Sequence, residues 1–260
     1  VQTCALPIFI QQRKCSLDAV QVTVLDEADH MADLGFLPGV KRIMDQTPRQ
    51  GQRLLFSATL DNGVDVLVNL YLTDPVVHSV DSAESPVPDM VHHVLHVAGG
   101  DKAAVVHTLS GGAGRTLLFT RTKHAAKKLA LQLSKAGIPS VDLHGNLSQN
   151  ARTRKLELFT TGEARVLVAT DIAARGIHVD DISLVVHVDP PAEHKAYLHR
   201  SGRTARAGND GFAVTLVEYN QHLHTRMIQR ALRLPLDPPV EIFSNDVRLA
   251  DLTSLEAATT

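Results

Sequence analysis

From Val20 onward the chain alternates short β-branched runs with amphipathic stretches, a pattern that restricts it to an α/β fold built on parallel sheets. Parallel neighbours need a crossover of a dozen or more residues between them, usually a helix. Strands are expected at Val20–Leu25, Arg53–Phe56 and Val76–Val80, with helical periods over Gly39–Gln46 and Asp61–Tyr71. Asp81–Asp89 (DSAESPVPD) then breaks the pattern with prolines, serines and no apolar period, the composition of a linker.

Beyond the linker the alternation restarts. Thr116–Phe119, Ser140–Leu143, Arg165–Ala169, Leu184–Val188 and Phe212–Val217 have strand character. Lys123–Ala136, a stretch from Ser148 through Phe159, Ala192–Arg203 and Asn220–Leu232 have helical character. Gly137 is placed to close its helix as the C′ residue, and Ser148 to cap the next one. The expected organisation is a partial domain over 1–80, a linker over 81–90, a complete domain over 91–235 and an extension over 236–260. Two such layers are expected to bind ligands between them, at the carboxyl ends of their strands. Residues 1–9 (VQTCALPIF) show neither period nor capping pattern and look like translated adapter sequence, so they are excluded from the expected fold.

Charge separates the two halves. The net charge of −2 argues against a polyanion partner, but residues 102–206 carry 16 Lys/Arg against 8 Asp/Glu, a net of +8. Residues 1–80 carry 6 against 9. With no Trp and 4% aromatic residues, stacking platforms for bases are not expected. Two cysteines form neither a disulfide framework nor a metal cluster. No run approaches the ~20 apolar residues that span a bilayer, and no signal-like leader is evident. A reduced, cytoplasmic, monomeric protein without a membrane partner is expected.

Four clusters carry chemistry. Asp26-Glu27-Ala28-Asp29 sets three carboxylates after a buried strand, where a hydrated Mg²⁺ needs only one or two and a neighbouring Glu can position a water. An acidic solvated turn would look the same. Ser57-Ala58-Thr59 ends the next strand, with hydroxyls able to bridge back to that turn or simply to cap a helix. Ala169–Ile177 (ATDIAARGI) brings a hydroxyl, a carboxylate, a guanidinium and a glycine to one strand end. In His199–Gly208 (HRSGRTARAG), Arg200, Arg203 and Arg206 recur every three residues near a helix end. They suit either a dipole-complementing cap or, with Gly202 letting the backbone turn tightly, a cluster aimed at one phosphate.

In this order and spacing, DEAD at 26–29, SAT at 57–59, ATDIAARGI at 169–177 and HRSGRTARAG at 199–208 resemble the helicase motifs of the DEAD-box ATP-dependent RNA helicases. Phe119 in LLFTRTKHA resembles the fourth motif, with Gln149 and Arg152 its companions. The resemblance runs from Cys15 to about Leu234 and implies RecA-like parallel sheets flanked by helices, one partial and one complete. It also implies ATP and Mg²⁺ as cofactors and RNA as a partner bound through its backbone, without sequence preference.

The roles it implies are specific. Asp26 would hold Mg²⁺ through water and Glu27 would orient the attacking water. Asp29, Ser57, Thr59 and Arg200 would couple hydrolysis to closure. Arg203 and Arg206 would be arginine fingers on ATP, with His199 nearby and Gly176 and His178 also at the nucleotide. Gly145, Arg152 and Thr170 would contact the RNA sugar-phosphate backbone.

Two departures matter. No G-x-x-x-x-G-K-[ST] phosphate loop occurs in the 260 residues, so this chain is not expected to hydrolyse ATP by itself. His178 stands where the family usually has an Asp for the ribose; a neutral imidazole accepts a hydrogen bond there and an imidazolium does not. Ala205 replaces a frequent Gly. The rival readings are a non-enzymatic RNA-binding module, a DNA-directed relative and a metal-dependent hydrolase, the last disfavoured because no His partners the carboxylates.

Overall fold

The computed structural model describes residues 5–33, 35–57, 62–78, 90–174, 177, 179, 181–205, 211–236 and 238–253. The chain divides into two compact units, Val1–Val80 and Asp81–Thr260.

The first unit runs α1 (Ala5–Gln11), β1 (Val22–Leu25), α2 (Ala28–Asp33), α3 (Leu37–Met44), β2 (Gln52–Leu55) and α4 (Asn62–Tyr71). Strands β1 and β2 pair in parallel, with Leu25 opposite Leu55, so both end at the same edge. One face buries Leu25, Met44, Val64, Leu67 and Tyr71 in a small core. Arg53 closes its rim, donating to the Tyr71 carbonyl at 3.2 Å and to Thr47 Oγ1 at 3.3 Å, with its guanidinium 5.4 Å from the Tyr71 ring centroid. The other face carries Val22, Val24, Leu54 and Phe56, each between 37% and 55% exposed.

Two expectations fail here. Of the strand expected over Val76–Val80, residues 76–78 are not a strand: Pro75 lacks a donor, Val76 and Val77 are 80% and 68% exposed, and among the described residues no strand pairs with them, while Ser79 and Val80 lie outside the described residues. The segment excluded as irregular contains most of helix α1, which packs on α3. The expected linker over 81–89 lies outside the described residues.

The second unit runs β3 (Val91–Val97), α5 (Lys102–Ser110), β4 (Arg115–Phe119), α6 (Lys123–Lys135), β5 (Ser140–Leu143), α7 (Gln149–Thr161), β6 (Val166–Ala169), α8 (Asp171–Ala174), β7 (Ile182–His187), α9 (His194–Ser201), β8 (Phe212–Val217), α10 (His222–Ala231) and β9 (Val240–Ile242). Its sheet is parallel in the order β5-β6-β4-β7-β8-β3-β9. Continuous apolar strands are required because helices cover both faces. Leu118, Val166, Val168 and Val186 pack with Val105, Leu109, Ala126 and Leu133 of α5 and α6. Their alternates Leu117, Phe119, Leu167 and Ala169 pack with Phe159 of α7 and Ala173 of α8.

Local signals act as expected at several ends. Ser148 Oγ accepts from Ala151 N at 3.3 Å, and Gly137, one residue past the C-cap of α6, takes φ +87°. The helix expected over Ala192–Arg203 is shorter, His194–Ser201, because Pro190 and Pro191 precede it and the backbone turns at Gly202. The helix expected from Asn220 opens with a 3-10 turn over Tyr219–Gln221.

Strand β3 escapes the sequence pattern because VHHVLHV carries three histidines. Leu95 and Val97 fill the core while His92 turns to the opposite face, its Nδ1 2.8 Å from Tyr197 Oη. His187 is wholly buried, with Nδ1 3.2 Å from Thr215 Oγ1 and Nε2 3.5 Å from Ser201 Oγ.

Burial, aided by the neighbouring His93, pushes the His92 imidazole down to about 4. Burial and then the Arg200 charge hold His187 well below the ordinary histidine range. Both imidazoles therefore stay neutral in the folded unit at pH values where the unfolded chain, titrating near 6.5, takes up protons. Stability should fall as pH drops from about 6.5 toward 4, by up to about 1.4 kcal/mol per pH unit per histidine. Urea unfolding of the second unit should show it roughly 2–4 kcal/mol less stable at pH 5 than at pH 7.5. A midpoint unchanged over that range would contradict the burial of these neutral imidazoles.

Candidate functional site

In the first unit the two strand ends are stitched together. Phe56 N donates to Leu25 O at 2.7 Å, Ala28 N to Phe56 O at 3.1 Å and Asp29 N to Ser57 Oγ at 3.2 Å. The Ser57 hydroxyl is therefore tied to the acidic turn through the amide of Asp29, whose side chain is buried. Asp26 is exposed, with Oδ1 accepting from Glu27 N at 2.9 Å. Glu27 adopts φ +52°, a left-handed conformation that costs a non-glycine residue about 1–3 kcal/mol and clusters at functional turns. Thr59 lies outside the described residues.

Among the described residues no trio of His, Cys, Asp or Glu converges to cage a metal. The donor set fits a hard, hydrated cation reached through one carboxylate and waters.

In the second unit, register places the functional loops side by side. Leu143, Ala169, Phe119 and His187 lie in one row across β5, β6, β4 and β7. The chain leaves these positions through Gly145, Thr170, Arg121 and Asp189, all at the carboxyl edge of the sheet. Thr170 O accepts from Ala173 N and Ala174 N at 3.0 and 2.9 Å, opening the short helix α8. Arg152, on the first turn of α7, donates from Nη2 to Ala173 O at 2.8 Å. Burial draws its guanidinium pKa below the usual value. Gly145, Arg152 and Thr170 thus share one edge, and Gly145 is exposed with open space where a Cβ would stand.

Of the three arginines expected to converge, Arg200 and Arg203 are described, and they turn to different partners. Arg200 lies inside α9 and turns inward, 3% exposed. Its Nε and Nη2 grip both oxygens of Asp171 at 2.5 and 2.8 Å. Its Nη1 donates to Asp189 O at 2.7 Å, and its guanidinium stands 5.1 Å from the Phe119 ring centroid. Arg203 comes after the helix has ended, so it faces elsewhere: Nε donates to His199 O at 3.2 Å and Nη1 to Ile177 O at 2.9 Å. Ala205 takes φ +52°, which explains physically why a glycine suits this position. Arg206, Gly176 and His178 lie outside the described residues.

Sequence reasoning missed Asp189. Its carboxylate accepts from Arg121 N at 2.9 Å and pairs with Lys102 Nζ at 3.2 Å, while its carbonyl holds Arg200. Only the run V-D-P-P after an apolar strand hints at it, and that run reads equally well as a turn.

The family described as Helicase conserved C-terminal domain matches residues 101–208, and the DEAD/DEAH box helicase family matches residues 3–67. The second match includes residues excluded from the fold expectation, which corrects that exclusion. The Escherichia coli DEAD-box protein SrmB, in a crystal structure with the regulator of ribonuclease activity A, is 35% identical over 58% of this chain and 89% of that one, with a TM-score of 0.52. This chain belongs to the DEAD-box helicase family.

Other relatives cover more of it. The ATP-dependent RNA helicase RhlB of Pseudomonas syringae pv. tomato is 37% identical over 92% of this chain. The chain spans 62% of that relative's length. Saccharomyces cerevisiae Dbp5, solved with RNA and ADP BeF3, has a TM-score of 0.83 at 27% identity, over 97% of this chain and 66% of Dbp5. The RecA-like parallel architecture expected from the DEAD-box motifs is therefore the observed one.

Asp171→Ala would leave the Arg200 guanidinium buried without its bidentate partner. Removing one member of a buried pair costs about 3–5 kcal/mol, and the partial exposure of Asp171 places this case near the lower end, about 3 kcal/mol. Urea unfolding of the second unit should register that loss. A change under about 1 kcal/mol would show that the pair is not what holds Arg200.

Proposed function

We propose that this chain forms part of an ATP-dependent RNA helicase, in which the second unit grips the RNA backbone and offers arginines to ATP, while the first unit contributes the acidic turn. The observation that carries this reading is the bidentate Asp171–Arg200 pair. Asp171 follows Thr170, proposed to touch RNA, and Arg200 stands three residues before Arg203, proposed to touch the γ-phosphate. On this reading one ion pair, with its arginine buried, would tie the proposed RNA side of the unit to its proposed nucleotide side.

Gly145, Arg152 and Thr170 are proposed to hold phosphates and sugars, contacts that position the strand without reading bases. Arg203 and Arg206 are proposed as planar, permanently charged donors to phosphate oxygens. His199, whose carbonyl accepts from Arg203 Nε, is proposed to hold that arginine in place, and Arg200 to transmit between the two sides through its three anchors. Gly176 and His178 are proposed to lie at the nucleotide.

In the first unit, Glu27 is proposed to orient the attacking water and Asp26 to hold the first hydration layer of Mg²⁺, an ion that neutralises phosphate charge when bound. Asp29, Ser57 and Thr59 are proposed to report the state of the phosphate to the rest of the protein, with the bond between Asp29 N and Ser57 Oγ as the described part of that link. A monomeric, cytoplasmic protein that binds RNA without sequence preference completes the proposal.

The rival is an RNA-binding module without turnover. Arg203→Lys, in this chain extended to include a phosphate loop, separates the two. Lysine keeps the charge and loses the fork, and arginine fingers are worth about 10³–10⁵-fold in NTPase turnover. The expected result is a kcat at least about 10²-fold lower with RNA affinity nearly unchanged. RNA affinity collapsing while turnover survives would move Arg203 to the RNA and favour the rival.

A further inference from the structure

We propose that the second unit contains a further phosphate-binding subsite, a basic cavity beside Gly145 that takes the RNA backbone beyond the contacts of Gly145, Arg152 and Thr170. The inference rests on the RNA-binding reading above and extends the path of the strand along α6 and α7.

The cavity, of about 420 Å³, is lined by Lys123, His124 and Lys127 from α6, Asp142 and His144 from the end of β5, and Lys155 from α7. Its one acidic group is already neutralised: Asp142 Oδ1 pairs with Lys155 Nζ at 2.7 Å, and Oδ2 stands 3.1 Å from His144 Nε2. Lys123 and Lys127 are exposed, and among the described residues neither has an acidic partner. Two uncompensated ammonium groups four residues apart on one helix repel each other, a cost that a bound polyanion removes. The N-terminus of α6, thirteen residues long and capped by Thr122, adds the positive end of its dipole to the same wall.

Position favours a chain of phosphates over an isolated anion. His144 and Asn146, which flank Gly145, both line the cavity. His144 Nδ1 accepts from Asn146 N at 3.3 Å while Nε2 faces Asp142, so the Asp142–His144 pair sets the shape of the Gly145 loop. On α7, Lys155 lies one turn beyond Arg152. A strand held at Gly145 would therefore run beside this cavity, whose lining includes both neighbours of Gly145. The lining holds Lys123, Lys127 and Lys155 and no Phe, Tyr or Trp, so the cavity offers charge to a phosphate more than a broad stacking platform to a base.

The test uses the whole chain, a double Lys123→Gln/Lys127→Gln variant and its charge-keeping Lys123→Arg/Lys127→Arg counterpart, with oligouridylates of 4 to about 15 nucleotides over a salt series. Each phosphate contact on a single strand contributes about 0.7 to the slope of log K against log salt. The Gln variant should lower the slope by about 1.4 for the long oligomers and leave the shortest unchanged, and the Arg variant should keep the wild-type slope. An unchanged slope at every length, in a variant with wild-type circular dichroism, overturns the subsite while Arg152→Ala still reports on the clamp itself. No RNA binding by the wild type overturns both readings. Inorganic pyrophosphate, titrated by calorimetry, distinguishes the source of the phosphate: saturable binding lost in the Gln variant, with long-oligomer slopes unaltered, assigns the cavity to a free anion and overturns the RNA path.

Discussion

Among the described residues, the second unit is organised around one buried guanidinium, that of Arg200. Taking the Arg200 cation out of water costs several kcal/mol, and only a geometry that occupies its donors and both oxygens of its partner offsets that cost. Asp171 supplies the bidentate face, Asp189 a carbonyl and Phe119 a ring. These partners come from the ends of β6, β7 and β4, so satisfying Arg200 fixes three strand termini and α9 against one another. Thr170, Arg121 and Arg203 inherit their placement from that arrangement. Asp189 extends it, since its carboxylate also holds Arg121 N and Lys102.

The first unit is held differently. Its core is a handful of residues on one face of a two-stranded sheet, while the opposite face leaves Val22, Val24, Leu54 and Phe56 substantially exposed. Two strands covered on one side provide little independent stability. Even so, the carboxyl edge keeps a defined shape, because Phe56 N, Ala28 N and Asp29 N cross between the strand ends. The left-handed Glu27 sits where those bonds over-determine the backbone, which is how such a conformation persists.

Much of this was legible in the sequence. The central strands of the second unit are buried on both faces and therefore appear as unbroken apolar runs, as in Val166–Ala169 and Phe212–Val217. Ser148 and Gly137 announced helix ends through local chemistry that tertiary contacts did not override. Strand β3 was hidden because its histidines find partners only in the folded unit, at Tyr197 for His92 and at His222 for His96. Val76 and Val77 misled for the opposite reason: β-branched residues favour a strand only when a neighbour exists to pair with. The arginine spacing of three suggested a common target, but the helix ends between Arg200 and Arg203, and no periodicity reports which arginine turns inward.

The central claim is that Arg200 holds the strand ends of the second unit together as one body. Hydrogen exchange on the full chain carrying Arg200→Lys tests it directly, because lysine keeps the charge and loses the fork that reaches Asp171 and Asp189 at once. The account predicts a concerted loss of amide protection at Phe119–Thr120, Ala169–Ala174 and His187–Asp189, with β3, β8 and α5 unchanged. Loss confined to α9, with those three strand ends as protected as in the wild type, would contradict it.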